Sequence, residues 1–366
     1  MKTASVIGIG KLGLCFALTL EKNGYDIVGV DINQDYVDLV NDKSLESDED
    51  GVEELLGLST NLLATTSLEL ALDHSNLLFV IVATPSLESG RYDHSQIEGL
   101  VTAIKGLGYN DIQKDFIICC TTMPGYCRTV ADRLEPLNYR VNYNPEFIAQ
   151  GTILKDQENP DMILIGESDW EAGNIIEEVY KDHTKSNPLI CRMSPTEAEI
   201  TKISLNCFLT TKISFANMIG DIAISSGVDP HIILKAIGSD SRIGSKYLRY
   251  GFGYGGPCFP RDNRALAIYA KDVNSPALIS IASDESNHLH LNQQIKHFIE
   301  NNSVDEEVVF ECVTYKPQST MLVESQELQY AVRIAKAGYS VIIRERPTVV
   351  EEIQQTYGDL FSYEYL

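Results

Sequence analysis

The sequence predicts an α/β protein in three parts: a doubly wound dinucleotide-binding domain at 1–193, a helical region at 194–300 and a short α/β lobe at 301–366. Three observations carry this reading. A β-rich run at Ala4–Gly8 passes through Gly8-Ile9-Gly10-Lys11-Leu12-Gly13 into a helical pattern and then a second strand ending in Asp31. From Ser194 to about Glu300 the pattern is helical in two stretches. From Val308 the chain alternates strand and helix again.

The first part is the most explicit. Strand, GxGxxG turn, helix, strand and acid come in the order of a Rossmann-type unit. Its glycines let a pyrophosphate approach the helix N-terminus, and its acid faces ribose hydroxyls. Gly8, Gly10, Gly13 and Asp31 are therefore cofactor-binding candidates. A carboxylate at that tip repels a 2′-phosphate, so the expected cofactor is NAD rather than NADP. Further strands are read at Leu77–Ala83, Phe116–Thr121, Arg140–Asn144 and, as the last, Met162–Ile165. Ligands of such sheets gather at the carboxyl ends of strands, which makes Thr84, Thr122 and Glu146 candidates for the cleft.

In the second part, Ser194-Pro195-Thr196-Glu197 reads as a capping box with proline in the first turn, launching a helix through about Ser226. Lys202 and Asn206 are four apart and share one face of it, among Ile203, Leu205, Phe208 and Leu209. A second helical stretch is read from Arg261 to about Glu300. In the third part, strands are expected at Val308–Val313, Ser340–Arg344 and Phe361–Tyr365, with helices at Glu324–Ala337 and Thr348–Tyr357. That is about half of a doubly wound domain. The acidic stretch Ser44–Asp50 is the nearest thing to a disordered patch.

Composition narrows the function. The formal net charge of −23 repels polyphosphate, and no basic patch offsets it, so nucleic acid is excluded as a partner. An anionic substrate must be drawn in by particular Lys and Arg residues or helix N-termini. The N-terminus enters a strand directly, and no apolar run of membrane-spanning length is read, so no membrane contact is expected. Eight cysteines without a CxxC pair read as free thiols in a reducing, cytoplasmic compartment.

One of those cysteines stands apart. Cys258 lies in Gly255-Gly256-Pro257-Cys258-Phe259-Pro260-Arg261-Asp262, framed by glycines, with a carboxylate four residues on. A glycine-lined approach admits a ligand close to the backbone, and a helix starting near Pro260 favours thiolate over thiol. This is the setting of a covalent catalyst rather than of a packing residue.

Taken together, these motifs resemble the UDP-glucose/GDP-mannose dehydrogenase family over nearly the whole chain. The dinucleotide loop Gly8–Gly13, the turn Thr121-Thr122-Met123-Pro124-Gly125, the segment Tyr143-Asn144-Pro145-Glu146-Phe147, the helix Lys202–Asn206 and the stretch Arg242–Asp262 each look like a motif of that family, in the same order. The resemblance implies a metal-free, four-electron oxidation of a nucleotide-sugar C6 alcohol, most closely that of UDP-glucose, using NAD twice. A UDP-N-acetylhexosamine or GDP-mannose is the rival substrate, and a non-catalytic nucleotide-sugar binder the rival class.

The resemblance also distributes roles. It implies Cys258 as nucleophile, Lys202 and Asn206 as oxyanion donors, Glu146 as hydrolytic base with Thr122 holding water, and Asp262 as a second carboxylate. Thr84 and Thr122 border the cofactor. Phe147, Ile148 and Ala149 contact the substrate through main chain, Lys202, Asn206, Tyr247, Arg249, Tyr254 and Gly255 border it, and Tyr315 and Lys316 close over its diphosphate. Arg242 reaches a neighbouring subunit's site, which makes the central helices a homodimerisation region and the last part a short nucleotide-sugar-binding lobe. Gln150, Arg261 and Val323 depart from the family's usual glutamate, lysine and arginine, and the chain lacks the family's closing strands.

Overall fold

The computed structural model describes residues 2–148, 151–317 and 319–366 of the 366. They form two compact units, Met1–Lys202 and Ile203–Leu366.

The first unit is built on an eight-stranded sheet of β1 (Lys2–Ile7), β2 (Tyr25–Val30), β3 (Leu62–Thr65), β4 (Leu77–Val80), β5 (Lys114–Ile118), β6 (Tyr139–Tyr143), β7 (Met162–Gly166) and β8 (Leu189–Met193), in the order β3-β2-β1-β4-β5-β6-β7-β8. Pairing is parallel except between β6 and β7. The order reverses between β1 and β4, the switch point at which dinucleotides bind.

Side chains alternate between two cores, one on each face of the sheet. Phe79, Ile117 and Ile165 pack on one side with Phe16, and Leu78, Val80, Phe116 and Ile118 on the other with Val130. Burial on both faces is why these strands read as unbroken apolar runs. Phe16 meets Phe79 edge to face at 4.9 Å, fixing the first helix, Lys11–Lys22, over the centre of the sheet.

The helix Pro195–Ser225 begins in the unit with the expected capping box: Ser194 N and Oγ donate to Glu197 Oε2 at 2.8 and 2.6 Å. In the second unit, the remainder of that helix packs with Pro230–Gly238, Phe259–Asp272 and Leu278–Asn301. The last lobe is a parallel sheet of β9 (Glu307–Phe310), β10 (Ser340–Glu345) and β11 (Ser362–Tyr365) in the order β11-β10-β9. Helices Gln326–Lys336 and Pro347–Tyr357 bury Leu328, Ile334, Val349 and Ile353 against Val341 and Ile343.

Four expectations need correction. Met162–Gly166 is not the last strand of its sheet, because β8 follows it, and β3 also escaped the reading; both are edge strands with weak apolar patterns. The second helical stretch is two helices, separated where Asn274 takes a φ of 55° and Pro276 follows. The acidic stretch Ser44–Asp50 is ordered: Asp48 pairs with Lys11 at 3.1 Å, and buried Glu49 accepts from Gly151 N and Ile153 N. Finally, Pro195–Ser225 does contain an 18-residue window of mean hydropathy 1.2, long and apolar enough to cross a membrane by composition alone. It nevertheless carries Asn206, Lys212 and Asn217, each hydrogen-bonded within the fold. Its apolar residues divide between a buried side with Ile203, Cys207 and Ala216 and an exposed stripe of Phe208, Phe215, Met218 and Ile222.

Candidate active site

In the first unit the dinucleotide loop connects β1 to the helix Lys11–Lys22. Gly8, at a φ of 94°, sits so close to β4 that a Cβ would lie 2.4 Å from Ile81 O. A Cβ on Gly13 would lie 1.9 Å from Gly8 O. Gly10, by contrast, has open space above it and sits at the helix N-cap with no acidic residue in the first turn. The loop is thus packed tightly below and left open on the side where helix N–H groups face outward. That cradle suits a pyrophosphate, and Asp31 past the end of β2 suits the ribose, so the residues present fit NAD. Asp31 Oδ1 accepts from Asn33 N at 3.0 Å, which holds the carboxylate at the strand tip.

Beyond the neighbouring strand ends, buried Thr84 donates from Oγ1 to Thr121 O at 2.8 Å, linking the loops after β4 and β5. Thr122 is wholly buried, and its hydroxyl donates to Glu199 Oε1 at 2.9 Å. Glu199 also accepts from Gly125 N at 2.6 Å and Cys127 N at 2.8 Å, so a carboxylate from the long helix caps the helix Tyr126–Leu134. Sequence reasoning missed Glu199. Its only signal was a second acid two residues after the capping-box Glu197, with nothing to mark it as buried.

Glu146 lies past β6, and desolvation raises its pKa from the ordinary carboxylate value to about 7, against the smaller opposing effects of Tyr180 and Lys202. The Tyr180 hydroxyl donates to Asn144 Oδ1 at 2.6 Å and lies 3.3 Å from Glu146 Oε1. Lys202 Nζ donates to Glu146 O at 2.5 Å and lies 4.3 Å from the centre of the Phe147 ring. The structure therefore brings Glu146, Phe147 and Lys202 together. Ile148 packs against the core beside them, and Ala149 and Gln150 lie outside the described residues.

In the second unit Cys258 is exposed at the N-cap of Phe259–Asp272, with Pro260 in the first turn. One turn on, buried Asp262 accepts from Asn206 Nδ2 at 2.7 Å, and Arg261 Nε lies 3.5 Å from the other carboxylate oxygen. The preceding glycines are dictated by contact. A Cβ on Gly255 would meet Glu324 O at 2.3 Å, and one on Gly256, at a φ of 81°, would meet the Tyr315 ring at 2.4 Å. Gly256 N donates to Val323 O at 2.9 Å, which puts the main chain of that departing residue against the loop. Arg264 holds Glu324 in two hydrogen bonds of 2.7 and 2.9 Å, a tie that the sequence did not reveal.

The remaining candidates are spread around this loop. Tyr254 is buried against Phe259 with its hydroxyl 3.5 Å from Asp284 Oδ1, and half-exposed Tyr247, at a φ of 61°, meets Phe259 from another direction. Lys316 Nζ lies 5.9 Å from the Tyr315 ring centre. Arg249 lines a groove with His231, Lys235 and Ser245. Arg242 is 86% exposed and pairs with Asp240 at 2.8 Å. Among the described residues no group of His, Cys, Asp and Glu is arranged to hold a metal ion.

Comparison with known proteins places this geometry. The family model for the NAD binding domain of the UDP-glucose/GDP-mannose dehydrogenase family matches residues 2–184, and the model for its central domain matches 196–289. GDP-mannose 6-dehydrogenase of Pseudomonas aeruginosa is 31% identical over 361 residues, covering 93% of this chain and 80% of that one. UDP-glucose 6-dehydrogenase of Haloferax volcanii is 30% identical over 377 residues, covering 97% and 86%. The solved structure of a UDP-glucose dehydrogenase from Pyrobaculum islandicum aligns with a TM-score of 0.88 at 30% identity, over 99% of this chain and 86% of that one. A cofactor cradle and an exposed cysteine loop thus fall within the two matched domains, and the chain belongs to the UDP-glucose/GDP-mannose dehydrogenase family of NAD-dependent nucleotide-sugar oxidoreductases.

Proposed function

We propose that this enzyme oxidises the C6 alcohol of UDP-glucose to the carboxylate of UDP-glucuronate through a covalent intermediate on Cys258. The observation that carries the reading is Cys258 itself: an exposed thiol at a helix N-cap, on a glycine loop shaped by its neighbours, with Asp262 and Asn206 hydrogen-bonded one turn behind. NAD, when bound at Gly8, Gly10, Gly13 and Asp31, accepts one hydride at each of the two oxidation stages.

The chain's own residues do the rest. Once the alcohol is an aldehyde, the Cys258 sulfur adds to its carbonyl carbon, giving a thiohemiacetal whose oxyanion Lys202 and Asn206 stabilise. After the second oxidation the carbon is a thioester. Glu146 takes a proton from water, the hydroxide adds, the C–S bond breaks, and the thiolate and the carboxylate product are released. A carboxyl raised to about 7 suits a base at neutral pH. Thr122 orders the turn after β5 through Glu199, and Asp262 holds Asn206 in place for the oxyanion.

Phe147 to Ala149, Tyr247, Arg249, Tyr254 and Gly255 border the sugar nucleotide, and Tyr315 and Lys316 cover its diphosphate. The enzyme works as a homodimer through the central helices. The exposed stripe Phe208, Phe215, Met218 and Ile222, spaced to fall on one helical face, supports that interface, and solvent-facing Arg242 supports a role toward the partner subunit. In functional terms 1–193 binds cofactor, 194–300 dimerises and carries the cysteine, and 301–366 binds nucleotide.

UDP-glucose is favoured by the likeness to the Pyrobaculum UDP-glucose dehydrogenase over 99% of the chain. GDP-mannose is the second reading, favoured by the 31% identity to the Pseudomonas enzyme over 93% of the chain. One assay decides between them: NADH formed per sugar consumed, across UDP-glucose, GDP-mannose and UDP-N-acetylhexosamines, with Cys258→Ser alongside. Two NADH per UDP-glucose supports the proposal, and two per another sugar moves the substrate. Binding without turnover of any sugar would sink the enzymatic reading.

A further inference from the structure

The segment Gly251–Tyr254, which leads into the cysteine loop, has its main chain held by side chains from two helices. Asn217 accepts from Gly251 N at 3.1 Å and donates to Phe252 O at 3.4 Å. Asn287 accepts from Tyr254 N and donates to Tyr254 O, both at 2.9 Å, and approaches so closely that a Cβ on Gly253 would lie 2.1 Å from its Oδ1. The Gly251 carbonyl accepts from Gln294 Nε2 at 3.1 Å and lies 2.8 Å from His290 Nε2. On the other side of the ring, His290 Nδ1 lies 2.8 and 3.0 Å from the two carboxylate oxygens of Asp221. The His290 side chain is 2% exposed.

A neutral imidazole has one N–H and one lone pair, whereas an imidazolium has two N–H groups. Both His290 nitrogens face oxygens that accept, a peptide carbonyl and a carboxylate. Either neutral tautomer would set a nitrogen lone pair against one of them in a buried site. The doubly protonated ring satisfies both, and Asp221 balances its charge. The groups facing the ring are Asp221 from the long helix and Tyr250 from the loop, whose ring meets it edge-on at 5.6 Å and whose hydroxyl donates to Asp221 at 3.3 Å. From its own helix, uncharged Gln294 converges with it on Gly251.

We propose that His290 is a positioning residue of the cysteine loop: with one ring nitrogen donating to Asp221 and the other to the Gly251 carbonyl, it fixes the segment that leads to Cys258. This deepens the reading of Cys258 as the nucleophile and rests on it. The ring acts through the Gly251 main chain, so it sets where the thiol sits without contacting substrate.

The test uses the full-length enzyme. In ¹⁵N-histidine-labelled wild type, NMR should show one imidazole, assigned by its absence in His290→Gln, with protons on both nitrogens. Iodoacetamide labelling of the Cys258 peptide, followed by mass spectrometry, reads the setting of the thiol. His290→Gln should change that labelling rate and lower kcat by about tenfold while leaving KM for NAD unchanged. Asp221→Asn should change the labelling rate in the same direction. A wild-type His290 with a single protonated nitrogen overturns the proposal even if the variants do not fold, and equal labelling rates for wild type and His290→Gln overturn its positioning role. Neither readout needs turnover, so failure to oxidise any sugar would count against the proposed function alone.

Discussion

Glu199 accepts the Thr122 hydroxyl at 2.9 Å while capping the helix Tyr126–Leu134 through Gly125 N and Cys127 N. One carboxylate from the long helix thus sets both the turn after β5 and the helix that follows it. Burial raises its pKa, opposed by those hydrogen bonds. Removing it strands buried donors, each costing about 1–3 kcal/mol. Glu199→Ala should therefore destabilise the fold by about 2–5 kcal/mol in urea unfolding. Glu199→Gln, which keeps an acceptor, should lose clearly less; equal losses would mean that the contact is packing rather than hydrogen bonding.

Glu146 is drawn up to about 7 by burial, so its basic form grows as pH rises through neutrality. Thioester hydrolysis should accordingly slow about tenfold for each unit below pH 7 in a single-turnover assay. Glu146→Gln should flatten that limb and accumulate a covalent adduct on Cys258, visible by intact mass during turnover. Free enzyme throughout would remove Glu146 from the hydrolytic step.

The glycines of the dinucleotide loop should separate stability from cofactor binding. Gly13→Ala forces a Cβ to within 1.9 Å of Gly8 O and should destabilise the unit by about 1–3 kcal/mol. Gly10, at a φ of −59° with open space above it, should accept alanine with a stability change within about 0.5 kcal/mol. The added methyl then stands where the pyrophosphate is expected, so NAD affinity should fall at least about tenfold by calorimetry. Unchanged affinity in Gly10→Ala would place the cofactor elsewhere.

The exposed stripe on the long helix makes the proposed dimer testable. Phe208 is 66% exposed and Ile222 57%, with Phe215 and Met218 between them. Phe208→Asp together with Ile222→Asp should convert the enzyme to a monomer in light scattering while leaving its circular dichroism unchanged. A dimer that persists would move the interface off this helix.

Much of the architecture was legible because its signals are local. The GxGxxG turn, the capping box at Ser194 and the apolar strands each show themselves within a few residues. Boundaries were less legible: the apolar run at Leu77–Ala83 continues past Val80, yet β4 stops there because its partner β1 ends at Ile7. The site divided in the same way. Cys258 and its glycines announce themselves, whereas the residues that hold the loop, Asn217, Asn287, His290 and Arg264, are single polar side chains on helices whose pattern says only that some face is buried. Glu199 was hidden for the same reason, since its three donors lie more than seventy residues earlier in the chain.

The two glycines before Cys258 are spaces filled by Glu324 and the Tyr315 ring, residues that follow the cysteine by more than fifty positions. The ribosome therefore releases the thiol well before the parts that shape its surroundings. A nascent chain carries Cys258 without the groups that shape its loop, and the loop takes its final form only when synthesis has gone far enough to fold the last lobe against it.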